Sequence, residues 1–589
     1  MPRLITGLVG ALVLWAAAGA ADRLATPSEA TDYRQTPRYE ETIEYLRLLE
    51  RESRWVRLDE FGVTPEGRPM YGVIVSSGRT FTPKRVRHEG KLVMLIQNAI
   101  HAGESDGKDA CLALIRDLAV TRTRPELLDS VVLVVIPVYN IDGHERMSPY
   151  NRINQNGPEE MGFRTTAQNY NLNRDYVKID APESRAFVAL WNRWQPDFFI
   201  DNHVTDGANF QYAVTYTITR HGNGAPEIAA WSREQFIPVV TGKMAAWGEP
   251  IHPYVITRGL PVDSGIIDFV ESPRFSTGYA AIRNRPGLLV EMHMLKDYRR
   301  RVTANYKMMI AVLELLHEAP GPLRAAVHRA DSLATLGLTG EAALDFTHTG
   351  EPDTVDFLGF PHRMRPSEIS GGRWIEYDPT RPTTLRVPYF QRLKPTVSAL
   401  VPYAYLIGPQ WTDVLERLAR HEVKMHRLKS PIALTVQRYR FDSVSWRASS
   451  FEGHHLASFR TQPFEEEVLF PAGTVIIPTA QPGVRLLMHA LEPDAPDSFM
   501  KWGFFDTILE QKEYAEAYAA EALALRMLAE QPALKREFEE RLASDSAFAA
   551  SAEARRDFFY KRSPWAEPML NVYPVARLME PGNLPLSDF

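Results

Sequence analysis

Apolar residues recur along this chain in short unbroken runs, separated by stretches with a three-to-four-residue apolar spacing. The clearest run is Val131-Val132-Leu133-Val134-Val135-Ile136, which has no polar alternation. A strand buried on both faces reads this way, whereas a half-exposed strand alternates. Runs of this kind predict strands at Tyr71–Val75, Leu92–Asn98, Val131–Val138, Asp197–Asp201, Tyr212–Thr217 and Leu288–Met292. Helical spacing falls between them, at Ile43–Glu52, Asp106–Leu118, Glu183–Trp194 and Ala225–Gln235. Strands alternating with helices over roughly residues 36 to 317 predict an α/β sheet protein.

The pattern changes at Ala319-Pro320-Gly321-Pro322, a cluster of helix and strand breakers. Beyond it come helix-like sequence to about Leu336 and β-rich stretches at Thr384–Phe390, Ile432–Phe441 and Val468–Pro478. A long helical region, Gln511–Leu542, follows. Tyr514, Tyr518, Ala522 and Leu525 fall on one face of it, expected to pack inward. The expected organisation is a signal segment over 1–21, an α/β domain over 36–320, a helical linker over 321–345 and an α+β domain over 346–589.

Length and composition narrow the class. A chain of 589 residues is too long for one ordinary core. Hydrophobic residues at 44% and charged residues at 24% fit a soluble globular protein. A net charge of −6 provides no field for a nucleic-acid partner. Arg3, the apolar stretch Leu4 to Ala18 and the small residues Ala18-Gly19-Ala20 read as a secretory signal. The expected location is therefore exported, periplasmic or secreted, without stable membrane insertion after cleavage. The single cysteine, Cys111, excludes an internal disulfide and lies in an apolar helical pattern, as a buried thiol does. An exported protein without disulfides fits a bacterial source better than a stapled extracellular module.

Candidate chemistry lies in four separated segments: His101-Ala102-Gly103-Glu104, Arg164 with Asn173-Arg174, Asp201-Asn202-His203, and Leu289-Val290-Glu291-Met292-His293. Two histidines and a carboxylate can hold a zinc ion with a position left open for water. A further carboxylate can take a proton, and arginines with an asparagine can hold a carboxylate substrate and an oxyanion. His-x-x-Glu alone is weak, since it also occurs at His348/Glu351 and His489/Glu492. Only the first copy follows the end of a buried strand, as His203 also does, while Glu291 lies in the last part of Leu288–Met292, and sites in open α/β sheets form beyond the carboxyl ends of strands.

Together these segments resemble the zinc carboxypeptidase family of the carboxypeptidase A type. His101 and Glu104 look like its first two metal ligands and His203 like its third. Val138-Tyr139-Asn140-Ile141-Asp142-Gly143 resembles its Asn-Pro-Asp-Gly loop, with isoleucine in place of proline. Residues 164–175 resemble the stretch carrying an oxyanion arginine, here Arg164 in competition with Arg152, and the Asn173-Arg174 pair that binds the substrate's terminal carboxylate. Glu291 matches the catalytic glutamate, with Tyr279 as first candidate for the mobile tyrosine and Tyr254 as second. The resemblance covers about residues 36 to 317. It implies a mixed sheet of about eight strands between helices, a Zn2+ cofactor and hydrolysis of the C-terminal peptide bond of a peptide with a free carboxylate. A zinc amidase of the same fold, acting on cell-wall peptides or other amides next to a carboxylate, is the alternative. The C-terminal half looks like an appended domain of a bacterial exported branch.

Overall fold

The structure is a computed structural model that describes residues 24–582 and 584–588. The signal segment expected over 1–21 lies outside the described residues. Among those described, no helix is long and apolar enough to cross a membrane.

The first half is built on eight strands. They are β1 (Val56–Val63), β2 (Pro69–Val75), β3 (Leu92–Asn98), β4 (Val131–Ile136), β5 (Phe198–Val204), β6 (Val214–Ile218), β7 (Ile251–Pro253) and, after a short hairpin of β8 (Ile256–Thr257) and β9 (Ile266–Ile267), β10 (Gly287–Met292). They order as β1-β2-β4-β3-β5-β10-β6-β7. The central strands β4, β3, β5 and β10 run parallel, while β1, β2 and β6 introduce antiparallel pairs. This is a mixed sheet flanked by helices. Every residue of β3, β4, β5 and β10 is buried, which explains their lack of polar alternation. A truncation such as Leu95→Ala in this layer would cost about 2–5 kcal/mol.

Helices at Tyr39–Glu52, Asp106–Ile115, Pro182–Trp194 and Tyr298–Glu318 cover the sheet. The helix expected over Asp106–Leu118 widens to a π-turn at Arg116–Val120, and the one expected over Ala225–Gln235 does so at Ser232–Phe236. Cys111 is buried and free.

The second half contains β11 (Glu341–His348), β12 (Asp353–Gly359), β13 (His362–Pro366), β14 (Arg373–Tyr377), β15 (Thr383–Phe390), β16 (Leu393–Leu400), β17 (Ala404–Ile407), β18 (His426–Leu428), β19 (Ile432–Trp446), β20 (Ala457–Phe470), β21 (Val475–Pro478), β22 (Val575–Leu578) and β23 (Leu586–Asp588). Seven of them form a sheet ordered β20-β19-β22-β17-β21-β18-β23. With its helices this is an additional α+β domain. It is stitched to the first half, because β8 and β9 join β12 and β15 in one sheet. The helix Pro320–Leu336 also buries Leu323, Val327, Ala330 and Ala334 in the main core.

The β-rich run Val468–Pro478 holds the end of β20 and all of β21, with Pro471 and Gly473 between them. The helical region expected near the C-terminus needs correction. The region Gln511–Leu542 is two helices, Ala517–Glu530 and Pro532–Ser544, broken where Pro532 lacks an amide donor. The packed face of the first is Ala520, Leu523, Ala524 and Met527, whereas Tyr514, Tyr518, Ala522 and Leu525 face solvent.

Candidate active site

The site forms where β3, β5 and β10 end. Beyond β3 the backbone turns through Ala99, at φ 53°, before His101. Asn140 holds that turn: its side-chain amide donates to Ile100 O (3.3 Å) and Arg164 O (3.1 Å), and its Oδ1 accepts Gly143 N–H (3.0 Å). The Asn-Ile-Asp-Gly loop thus joins the His101 turn to the Arg164 segment. Gly103 permits a close approach, since a Cβ there would lie 2.6 Å from Gly162 O and 2.7 Å from Arg152 Cγ.

His101, Glu104 and His203 come together, all buried, with one donor atom of each within 4.8 Å of the others. His101 Nδ1 lies 3.1 Å from Glu104 Oε1, and His203 Nδ1 lies 3.0 Å from Glu104 Oε2. The opposite ring nitrogens have acceptors of their own: Asn171 Oδ1 is 3.2 Å from His101 Nε2, and Asp201 Oδ2 is 2.7 Å from His203 Nε2. Asn171 Oδ1 is fixed as an acceptor because Asn173 N–H also donates to it, at 3.0 Å. A proton on each Nε2 turns both Nδ1 atoms toward the Glu104 carboxylate, where each offers a lone pair to a cation that displaces any proton held there. Three such donors repel one another unless a cation sits among them, and a divalent ion with bonds of about 2.0–2.2 Å suits the set.

The charges follow from this crowding. Burial opposes the charge on Glu104, but Arg152 and His101 overcome it and hold the carboxylate well below its usual range. Burial takes His101 down to about 4. Burial also works against a proton on His203, yet Asp201 and Glu104 outweigh it and hold this imidazole well above its ordinary value. The sequence segment contained Asp201 without a role for it. Its position two residues before His203 on one strand puts both side chains on the same face, which was the available signal.

Glu291 stands beside this cluster on β10, with Oε2 buried and without a hydrogen-bond partner. Burial first, and then the charges of Glu104, Asp206 and Glu271, push it well above the carboxylate range, while His203 pulls the other way. A cation held by its neighbours would lower it again.

The arginines divide. Arg152 Nη2 is 2.8 Å from Glu104 Oε1, with 12% of its side chain exposed, whereas Arg164 Nη1 stands 3.8 Å away, with 36% exposed. Arg152 is therefore committed to Glu104 and Arg164 is freer to meet a ligand. Arg174 stacks 4.1 Å over Phe275 and donates to Asn173 O at 2.6 Å, and among the described residues no carboxylate pairs with it. Burial and the nearby Arg164 charge both disfavour its charged form. Asn173 Oδ1 accepts Ser276 N–H at 3.0 Å, which leaves its amide protons for a ligand.

Tyr279 is not brought to this cluster. Its side chain is fully buried against Tyr176 and Trp191, and its hydroxyl is bound by Arg283 (2.7 Å) and His421 Nδ1 (3.1 Å). Helix Ser276–Ile282 packs against the sheet, and that packing, invisible in the sequence, turns Tyr279 inward. Tyr254, half-buried on the loop after β7, faces the site instead: the Glu291 charge is the largest influence raising its hydroxyl. His293 packs on Phe210, with ring centroids 4.2 Å apart, and stays outside the cluster.

Residues 42–230 match the zinc carboxypeptidase family. The chain is 24% identical over 504 residues to carboxypeptidase 2 of Trichophyton equinum, covering 81% of this chain and 86% of that one. It is 25% identical over 496 residues to carboxypeptidase 2 of Trichophyton rubrum, covering 79% and 84%. These relatives are fungal and do not bear on the bacterial branch expected from the sequence. Among solved structures, a metallo-carboxypeptidase from Burkholderia cenocepacia aligns with a TM-score of 0.37 at 18% identity, over 48% of this chain and 69% of that one. The match to the zinc carboxypeptidase family thus lies within the first half of the chain, and the similarity to the carboxypeptidase 2 relatives extends across both halves.

Proposed function

We propose that the protein is a zinc-dependent carboxypeptidase that removes C-terminal residues from peptides bearing a free carboxylate. The observation that carries this reading is the convergence of His101 Nδ1, His203 Nδ1 and the Glu104 carboxylate, with Glu291 alongside and Arg174 nearby, paired with no carboxylate among the described residues. His101, Glu104 and His203 would hold the ion, and zinc is the metal their nitrogen and oxygen donors suit. When bound, zinc supplies Lewis acidity that brings a water toward neutral pKa and polarises the scissile carbonyl.

The chain's own residues do the rest. Glu291 takes the proton from the attacking water at its carboxylate and returns it to the leaving amine. Arg164 donates to the oxyanion as it forms. Arg174 binds the terminal carboxylate with two parallel N–H donors, and the Asn173 amide adds a third. Tyr254 supplies a hydroxyl from the loop facing Glu291. Asp201 keeps the Nε2 proton on His203, and Asn171 does the same for His101.

Chelation of the purified protein should abolish release of C-terminal residues, zinc should restore it, and peptides with an amidated C-terminus should resist. Trimming that persists in metal-free protein would contradict the reading.

A further inference from the structure

The hairpin formed by β19 and β20 reaches back from the second half of the chain to the candidate site. Its tip carries Phe451 to His454, with Glu452 at φ 50° and Gly453 at φ 83°. Such a tight turn places the Glu452 side chain against the first half, where its Oε2 accepts Asn171 N–H at 2.9 Å. Asn171 is the residue whose Oδ1 meets His101 Nε2 at 3.2 Å and Asn173 N–H at 3.0 Å. One residue therefore links Glu452 both to a metal-ligating histidine and to the turn Leu172–Arg174 that presents the carboxylate clamp. Glu452 also supports the charge of Arg174 without pairing with it.

The tip is held from both sides. His454 Nε2 lies 2.8 Å from Asp180 Oδ2, and Phe451 stacks on Trp502 at 6.0 Å. Arg274, one residue before Phe275, lies 5.0 Å over the Trp502 ring and bonds to Asp497, so the far side of the Arg174 stack rests on the same domain.

We propose that Glu452 is a positioning residue of the active site, so that the C-terminal domain is a working part of the carboxylate clamp rather than an accessory. The proposal rests on the peptidase reading for its kinetic arm only. Glu452 holds the Asn171 backbone. Asn171 in turn sets the His101 ring and the height of Arg174 in the cleft. The glutamate touches neither substrate nor metal.

The test uses the full chain with Glu452→Ala and Glu452→Gln, reading KM, kcat, zinc affinity by chelator competition, and melting temperature. Glutamine keeps an oxygen acceptor for Asn171 N–H, and alanine does not. The expected result for alanine is a KM raised about tenfold with a smaller change in kcat, and zinc bound several-fold more weakly. Glutamine should recover most of both, with all three proteins melting together. Unchanged KM and zinc affinity in Glu452→Ala would overturn the proposal. Equal losses in both variants that follow a lowered melting temperature would also overturn it, by assigning Glu452 to folding alone. Zinc competition needs no substrate, so a wild type that binds zinc and trims no peptide would refute the peptidase reading while the zinc comparison still decides the role of Glu452.

Discussion

His203 and Glu291 are directly paired residues on the adjacent parallel strands β5 and β10. Neighbouring strands lie about 4.8 Å apart, so the separation of the proposed ligand and the proposed base is set by a backbone ladder in the buried centre of the sheet. Neither residue can drift without breaking strand pairing. Glu291→Asp withdraws the carboxylate by one methylene, and the strand cannot follow. It is expected to lower kcat by about 10²-fold or more while leaving zinc content at one per chain. Wild-type-like kcat in that variant, measured alongside zinc content, would contradict the assignment of the base.

Arg174 sits on the Phe275 face with its remaining donors unpaired among the described residues. Arg174→Lys keeps one positive charge but loses the fork and the planar stack. KM for peptides with a free C-terminus is expected to rise about 10- to 100-fold. Steady-state kinetics on matched free and amidated peptides check this, because the discrimination between the two should shrink. An unchanged preference for the free carboxylate would count against the clamp.

The two tyrosines separate cleanly. Tyr279→Phe removes a hydroxyl that Arg283 and His421 share in the interior. It is expected to cost about 1–3 kcal/mol of stability and leave kcat unchanged. Tyr254→Phe should do the reverse, lowering kcat/KM without moving the denaturation midpoint. Denaturant melts and kinetics on both variants decide, and a catalytic loss confined to Tyr279→Phe would invert the assignment.

These residues also mark what the sequence could convey. The strands of the central sheet were legible because burial on both faces leaves uninterrupted apolar runs, and the run at Leu92–Asn98 matches β3 residue for residue. The clustering of His101, Glu104 and His203 was legible because their positions just past such runs follow from the sheet's geometry. Tyr279 was misplaced because nothing local tells whether a tyrosine on a short helix turns toward solvent or toward Trp191. Glu452 was invisible for a different reason. Its role depends on a contact 281 positions away in sequence with Asn171. The stripe of Tyr514, Tyr518 and Leu525 satisfied helical spacing equally well, but a second stripe one position away took the core.

Away from the site, Glu183 is buried in the first turn of helix Pro182–Trp194, and burial lifts its carboxyl from 4.5 to about 7. Between those values the folded chain retains a proton that the unfolded chain has released. Stability should therefore fall as pH rises through this window, by a few kcal/mol at most, at about 1.4 kcal/mol per pH unit. Glu183→Gln should flatten that part of the curve relative to wild type. Parallel wild-type and variant curves in denaturant titrations from pH 4.5 to 8 would show that Glu183 carries no such linkage.

The most direct test of the central claim is mass spectrometry of a mixed peptide pool after incubation with zinc-loaded protein lacking residues 1–21, with Glu291→Gln as control. The wild type is expected to remove single C-terminal residues stepwise, and the control to hold one zinc and trim nothing. Trimming by Glu291→Gln, or an intact pool after incubation with zinc-loaded wild type, would contradict that claim.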